Sequence, residues 1–175
     1  YKEADVPMAE RPEIDRWIIS VLNTLVKDVD NCYNEYEPTK AGRLISDFVN
    51  DNLSNWYVRL NRKRFWGGGM LYSDLTAATG RDNVVSVHLA KFPECKEEMI
   101  DKELEARMQM AQDVTSMVLA LRRKVNIKVR QPLQCIMVPV VDEEQRAHIE
   151  AVKTLIMNEV NVKEIKFVDG AAGVL

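Results

Sequence analysis

The chain has 175 residues, 46% of them apolar and 29% charged, with a formal net charge of −3. That balance belongs to a soluble globular protein of one domain, or one and a small appendage, able to bury a real core. No window approaches eighteen consecutive apolar residues, which excludes a transmembrane helix. Cys32, Cys95 and Cys135 lack a CxxC spacing and read as buried, reduced thiols of a cytosolic protein. His88 and His148 are the two histidines, so a metal site has poor support. The opening Tyr1-Lys2-Glu3 has neither Met nor an apolar signal core. Both ends are expected to be cuts through a longer protein.

Pro12-Glu13 opens the first helical pattern, in which Ile14, Trp17, Ile18, Val21, Leu22, Leu25 and Val29 recur at three- and four-residue steps. The stripe fades at Tyr36, and Pro38 suits the first turn of a second helix. Ala41, Leu44, Ile45, Phe48, Val49, Leu53, Trp56 and Leu60 carry that helix until Gly67-Gly68-Gly69 ends it. A short link between two amphipathic helices implies an antiparallel pair. Leu71 to Ala78 suits a short helix, Thr79 to Asn83 a turn and Val84 to Leu89 an extended segment. A third long helix is expected over about Lys96 to Lys124, with Ile100, Leu104, Met108, Ala111, Val114, Val118 and Leu121 inward. Cys135 to Val141 reads as a strand, Asp142-Glu143-Glu144 as the acidic start of a helix, and Val162 to Val168 as a second strand. Strand, helix and strand in so short a span form a small βαβ unit.

Charge is concentrated in two places. In Ser54 to Trp66 four cations, Arg59, Arg62, Lys63 and Arg64, lie together without an acid and between large aromatics. A second acid-free run holds Arg122, Arg123, Lys124, Lys128 and Arg130. Removing those nine cations from the net charge of −3 leaves −12 for the remainder, so the chain is acidic with two basic islands. Local fields of that kind steer a polyanion even when net charge is negative. Cations bind phosphate, and guanidinium planes or aromatic rings stack on unpaired bases, which suits RNA. The plainer alternatives are a solvated basic face and, for the second run, cations that complement a helix C-terminus. Trp17 and Trp56 suit the core, whereas Trp66 suits stacking on a splayed base.

Catalytic signatures are absent: the sequence has no GxxxxGK[ST], GxGxxG, HExxH or GxSxG. His88 reads as a structural histidine. The strings Asp15-Arg16-Trp17-Ile18, Asp47-Phe48-Val49-Asn50-Asp51, Ser54-Asn55-Trp56-Tyr57-Val58-Arg59, Ser86-Val87-His88-Leu89 with Phe92-Pro93, Asn126 to Leu133, and Glu159-Val160-Asn161-Val162-Lys163-Glu164 occur in that order. Together they resemble the part of the isoleucyl-tRNA synthetase family, a class I aminoacyl-tRNA synthetase family, that follows its catalytic core. The HIGH and KMSKS strings of that family do not occur. The family also has further helix after the residues matching Trp66, so the junction near 67–71 is expected to lack about two to three helices' worth of residues.

The resemblance implies a mainly α fold, an antiparallel helical bundle of the anticodon-binding type over 1–130 with a small α/β appendage over 131–175. It implies a tRNA(Ile)-binding fragment of a cytoplasmic, monomeric synthetase that does not contact a membrane. Its partner within that enzyme is the rest of the synthetase chain, which binds ATP and Mg and joins isoleucine to tRNA. No cofactor is expected in the fragment, and no residue of it is expected to be catalytic. The candidate RNA-binding residues are Arg59, Arg62, Lys63, Arg64, Trp66, Arg122, Arg123, Lys128 and Arg130. The rival readings are a helical scaffold or interdomain module, and the equivalent domain of a valyl- or leucyl-tRNA synthetase.

Overall fold

A computed structural model describes residues 6–62, 64 and 92–169, and the chain divides into two compact units, Tyr1–Asp101 and Lys102–Leu175. The third long helix therefore groups with the α/β segment, whereas the sequence pattern alone puts the change of character at 131. Lys63, Trp66, the glycine triplet, His88 and the elements expected over 71–89 lie outside the described residues.

In the N-terminal unit α1 spans Glu13–Asn34, with Pro12 at its cap and Glu13 and Asp15 in the first turn, where the helix dipole favours acids. Trp17, Ile18, Val29 and Cys32 are buried, whereas Leu22, expected inward, is exposed. Two polar side chains occupy the buried face instead. Ser20 Oγ accepts a hydrogen bond from the Asp101 amide at 2.7 Å, and Asn23 Oδ1 accepts one from the Lys96 amide at 2.8 Å. Residues 92–101 are thereby tied to α1 through their own backbone. The span from Lys96 contains only the short 3₁₀ turn Glu97–Met99, and the third helix begins later than its apolar pattern suggests.

The turn after α1 places Tyr36 in the left-handed region (φ 58°), and the Glu37 amide reaches Cys32 O at 2.7 Å. That is a Schellman-type close. α2 (Pro38–Asp47) starts on its proline as expected and packs Ala41 against Val29 and Cys32. The helix continues as a π-helix over Phe48–Val58, in which each N–H reaches back five residues rather than four. No proline or glycine in that stretch accounts for it. Wider turns shift the phase of the face: Trp56 and Asn61 are buried, while Leu60 is only partly so. Ala41 near Cys32 and Tyr57 near Asp15 confirm the antiparallel pair.

In the C-terminal unit α3 (Lys102–Lys124) buries Leu104, Met108, Ala111, Val114, Thr115 and Arg122. β1 (Ile136–Val140) and β2 (Ile165–Asp169) pair in parallel, with Ile136 opposite Ile165. The helix between them is two, α4 (Glu143–Ala151) and α5 (Lys153–Val160), broken at Val152. Asp142 caps α4 by accepting from the Gln145 amide at 2.7 Å, and Gln145 Oε1 accepts in return from the Val141 amide at 2.9 Å. Ile149, Ile156 and Val160 are wholly buried and form the centre of this core. The fold is thus mainly helical, with a small two-stranded α/β element, in agreement with the sequence.

Tyr36 is 93% exposed, so its ring contributes little packing to offset the left-handed backbone. Tyr36→Gly is expected to stabilise the N-terminal unit by about 0.5–1 kcal/mol. Urea unfolding followed by tryptophan fluorescence measures it, since Trp17, Trp56 and Trp66 all lie in that unit.

Candidate nucleic-acid interface

The first basic run sits where the helix carrying Trp56 meets the start of α1. Asp15 holds this junction. Both its oxygens accept from Arg64, with Nη1 and Nη2 each at 2.8 Å, and Oδ1 also accepts from the Tyr57 hydroxyl at 3.0 Å. Arg64 Nη1 further donates to Asn61 Oδ1 at 2.7 Å. Such a bidentate fork is among the stronger polar contacts, because geometry and charge act together. The Asp15 side chain is only 14% exposed, against 53% for Arg64. The Arg64 hydrogen bonds, opposed by burial and aided by Tyr57, hold the Asp15 carboxyl below the usual carboxylate range. Burial, helped by Asp15, pushes the Tyr57 hydroxyl up to about 12.

Sequence reasoning placed Arg64 toward solvent and RNA. Its guanidinium edge is instead bound to Asp15 and Asn61. Asp15, Tyr57 and Asn61 were missed as a group because Asp15 lies 42 positions from Tyr57 and 49 from Arg64. Arg59 and Arg62 are exposed. The Arg59 Nε donates to Asn55 O at 2.7 Å, and its guanidinium carbon lies 5.7 Å from the centre of the Trp56 ring. Trp56 is therefore both core and platform, with a cation over its ring.

Arg122 requires a correction. It was expected in an accessible basic strip, but it is 2% exposed. Its Nη1 donates to Lys128 O and Gln131 O at 3.2 and 3.0 Å, and its Nη2 to Asn161 O at 3.0 Å. A sealed guanidinium that binds three carbonyls of its own chain does not meet a polyanion. The signal that finds it is the helical phase: steps from Ala111 through Thr115 and Val118 lead to Arg122, not to Leu121, which is 61% exposed. Arg123, Lys128 and Arg130 remain on the surface.

The turn that wraps Arg122 starts at Asn126 (φ 56°), where the Ile127 amide reaches Arg122 O at 2.9 Å. Between this turn and the end of α3 lies an open concavity of about 670 Å³. Leu119, Ile127 and Val129 give it apolar walls, and Arg122, Arg123, Asn126 and Lys128 complete its lining. Cys32, Cys95 and Cys135 are free thiols, of which only Cys32 is buried. Among the described residues, no helix is long and apolar enough to cross a membrane.

Residues 15–82 match the family model described as the anticodon-binding domain of tRNA ligase. The whole chain is 76% identical to an isoleucine–tRNA ligase of Bacteroides thetaiotaomicron, of which it covers 18%. Against the isoleucine–tRNA ligase of Porphyromonas gingivalis the identity is 51% over 99% of this chain and 18% of the relative. For that of Deinococcus radiodurans it is 35% over 93% of this chain and 17% of the relative. The chain belongs to the isoleucyl-tRNA synthetase family, as a segment spanning less than a fifth of the length of the curated relatives it matches. The alignment with the B. thetaiotaomicron protein runs over 207 positions against 175 residues here, so 32 of its positions have no residue in this chain.

The Asp15 cluster gives the N-terminal unit a pH window. Because the folded carboxyl titrates below its unfolded value of about 3.9, its contribution is complete above that value and drains away as pH falls through the lowered folded one. At the alkaline end the neutral Tyr57 hydroxyl is favoured by the fold. That contribution is whole below pH 10 and is lost as pH rises toward about 12. Thermal melts across pH should lose the acid-side dependence in Asp15→Asn and the alkaline loss in Tyr57→Phe. In the C-terminal unit, Arg122→Met should cost about 3 kcal/mol, since it removes the buried donor that three backbone carbonyls share. Chemical denaturation followed by far-UV circular dichroism reads that cost.

Proposed function

We propose that this segment grips the anticodon side of tRNA(Ile), as part of a monomeric cytoplasmic synthetase whose remaining chain ligates isoleucine. The observation that carries the reading is the exposed pair Arg59 and Arg62, carried on the last turns of the helix whose end Arg64 ties to Asp15. A cation on a fixed support loses less freedom on meeting a phosphate than one on a mobile loop. Arg59, backed by Trp56, offers a flat guanidinium for a phosphate or a splayed base. Lys63 would add a point charge and Trp66 a stacking surface, both beyond the described residues. Arg64 contributes by holding the platform, with the exposed half of its side chain open to the backbone. Arg123, Lys128 and Arg130 form a second contact strip on the C-terminal unit, without Arg122.

ATP and magnesium would act in the catalytic core, which this chain does not span. Among the described residues no three carboxylate, histidine or cysteine side chains gather into a cation site. The 32 unmatched alignment positions agree in number with the roughly two to three helices' worth of residues expected to be missing near 67–71.

The test is filter binding of the 175-residue chain to tRNA(Ile) and to an unrelated tRNA across a salt series. Tighter binding of tRNA(Ile), with log affinity falling linearly in log salt, is expected. Arg59→Ala and Arg62→Ala should each reduce the slope by about 0.7–0.9. A folded chain that binds neither tRNA would favour the scaffold reading.

A further inference from the structure

The concavity at the end of α3 has a composition that the strip of surface cations does not explain. We infer that it receives one unstacked nucleotide of the bound RNA, with the base against the apolar walls and the phosphate at the cationic rim. The inference rests on the tRNA-binding reading above and adds to it a defined seat for a base on the C-terminal unit.

Two observations carry it. The first is size: about 670 Å³ falls inside the range of roughly 300–1,000 Å³ typical of small-ligand sites, ample for a single nucleoside. The second is chemistry. Leu119, Ile127 and Val129 present apolar surface that a flat base can cover, and Arg123 and Lys128 stand beside them with charge for its phosphate. A purely apolar partner would leave that charge unmatched, and a bare anion would leave the apolar walls wet. A nucleotide has both halves.

The walls are also held in shape before any ligand arrives. Arg122 fixes the carbonyls of Lys128 and Gln131, and Asn161 Nδ2 donates to Val129 O at 2.8 Å. A preformed seat orders one nucleotide without having to order the protein as well.

The experiment uses the full 175-residue chain and tRNA(Ile) transcripts that each carry one abasic site among the unpaired anticodon-loop nucleotides. The variant is Ile127→Gln/Val129→Gln, which keeps the size and charge of the walls and removes their apolar character. A thermal melt matching wild type controls for folding, and Val129→Gln alone serves if the pair unfolds. With wild type, one abasic position should weaken binding about tenfold while the others do little. In the variant that position should lose its effect, with the salt slope unchanged because no charge was removed. A variant that binds every transcript as wild type does would overturn the nucleotide seat while leaving tRNA binding intact. A wild-type chain that binds no tRNA at all would overturn the functional reading and the seat with it.

Discussion

A guanidinium sealed beneath three carbonyls organises the C-terminal unit. Taking the charge of Arg122 out of water is costly, and the fold recovers that cost only by supplying acceptors at fixed distances. Those acceptors come from the turn after α3 and from the turn after α5, at Lys128, Gln131 and Asn161. Asn161 binds back to the same turn through Val129 O, so residues 128–131 are gripped from two directions. The left-handed backbone at Asn126 and Asn161 allows both turns to close so tightly. Everything on the outer side of that turn, including the exposed Lys128 and Arg130, inherits its position from one buried side chain.

The N-terminal unit uses the same device in milder form. Arg64 ties the end of one helix to the first turn of α1 through Asp15, with Tyr57 and Asn61 completing the cluster. In each basic run one arginine binds acceptors of its own chain, while Arg59 and Arg62 in the first and Arg123, Lys128 and Arg130 in the second are exposed. The choice of arginine over lysine follows from geometry. A planar fork bridges two or three acceptors at once, whereas an ammonium group cannot span them in a plane. The surface cations can then act from positions set by their inward neighbour, which suits recognition of a backbone whose phosphates have fixed spacing.

The helices, the turn prolines and the βαβ segment were legible because apolar periodicity and helix-start chemistry are local. Trp17 and Trp56 were placed correctly in the core for the same reason. Local reasoning failed where the answer depended on phase or on distant partners. The π-helix over Phe48–Val58 shifts the face of the second helix, and no residue type in that stretch announces it. Ser20 and Asn23 carry no apolar signal, and they bind the backbone of residues 101 and 96. Their role exists only once the chain returns. Arg122 was misread because a charge was assumed to point outward, although the helical phase placed it inward. Arg64 was grouped with its neighbours because its partner lies 49 positions away.

The ties along α1 also bear on the shorter junction proposed near residue 67. Asp15, Ser20 and Asn23 hold both ends of the intervening chain, at Arg64 on one side and at residues 96–101 on the other. The entropy of closing a connection grows only with the logarithm of its length, and a doubling costs about 0.6 kcal/mol. Adding the 32 alignment positions absent from this chain to residues 65–91 would roughly double that connection. One scaffold of polar anchors on α1 therefore tolerates either length at nearly the same free energy. Family members of different length in this connection should accordingly share the fold of α1 and α2.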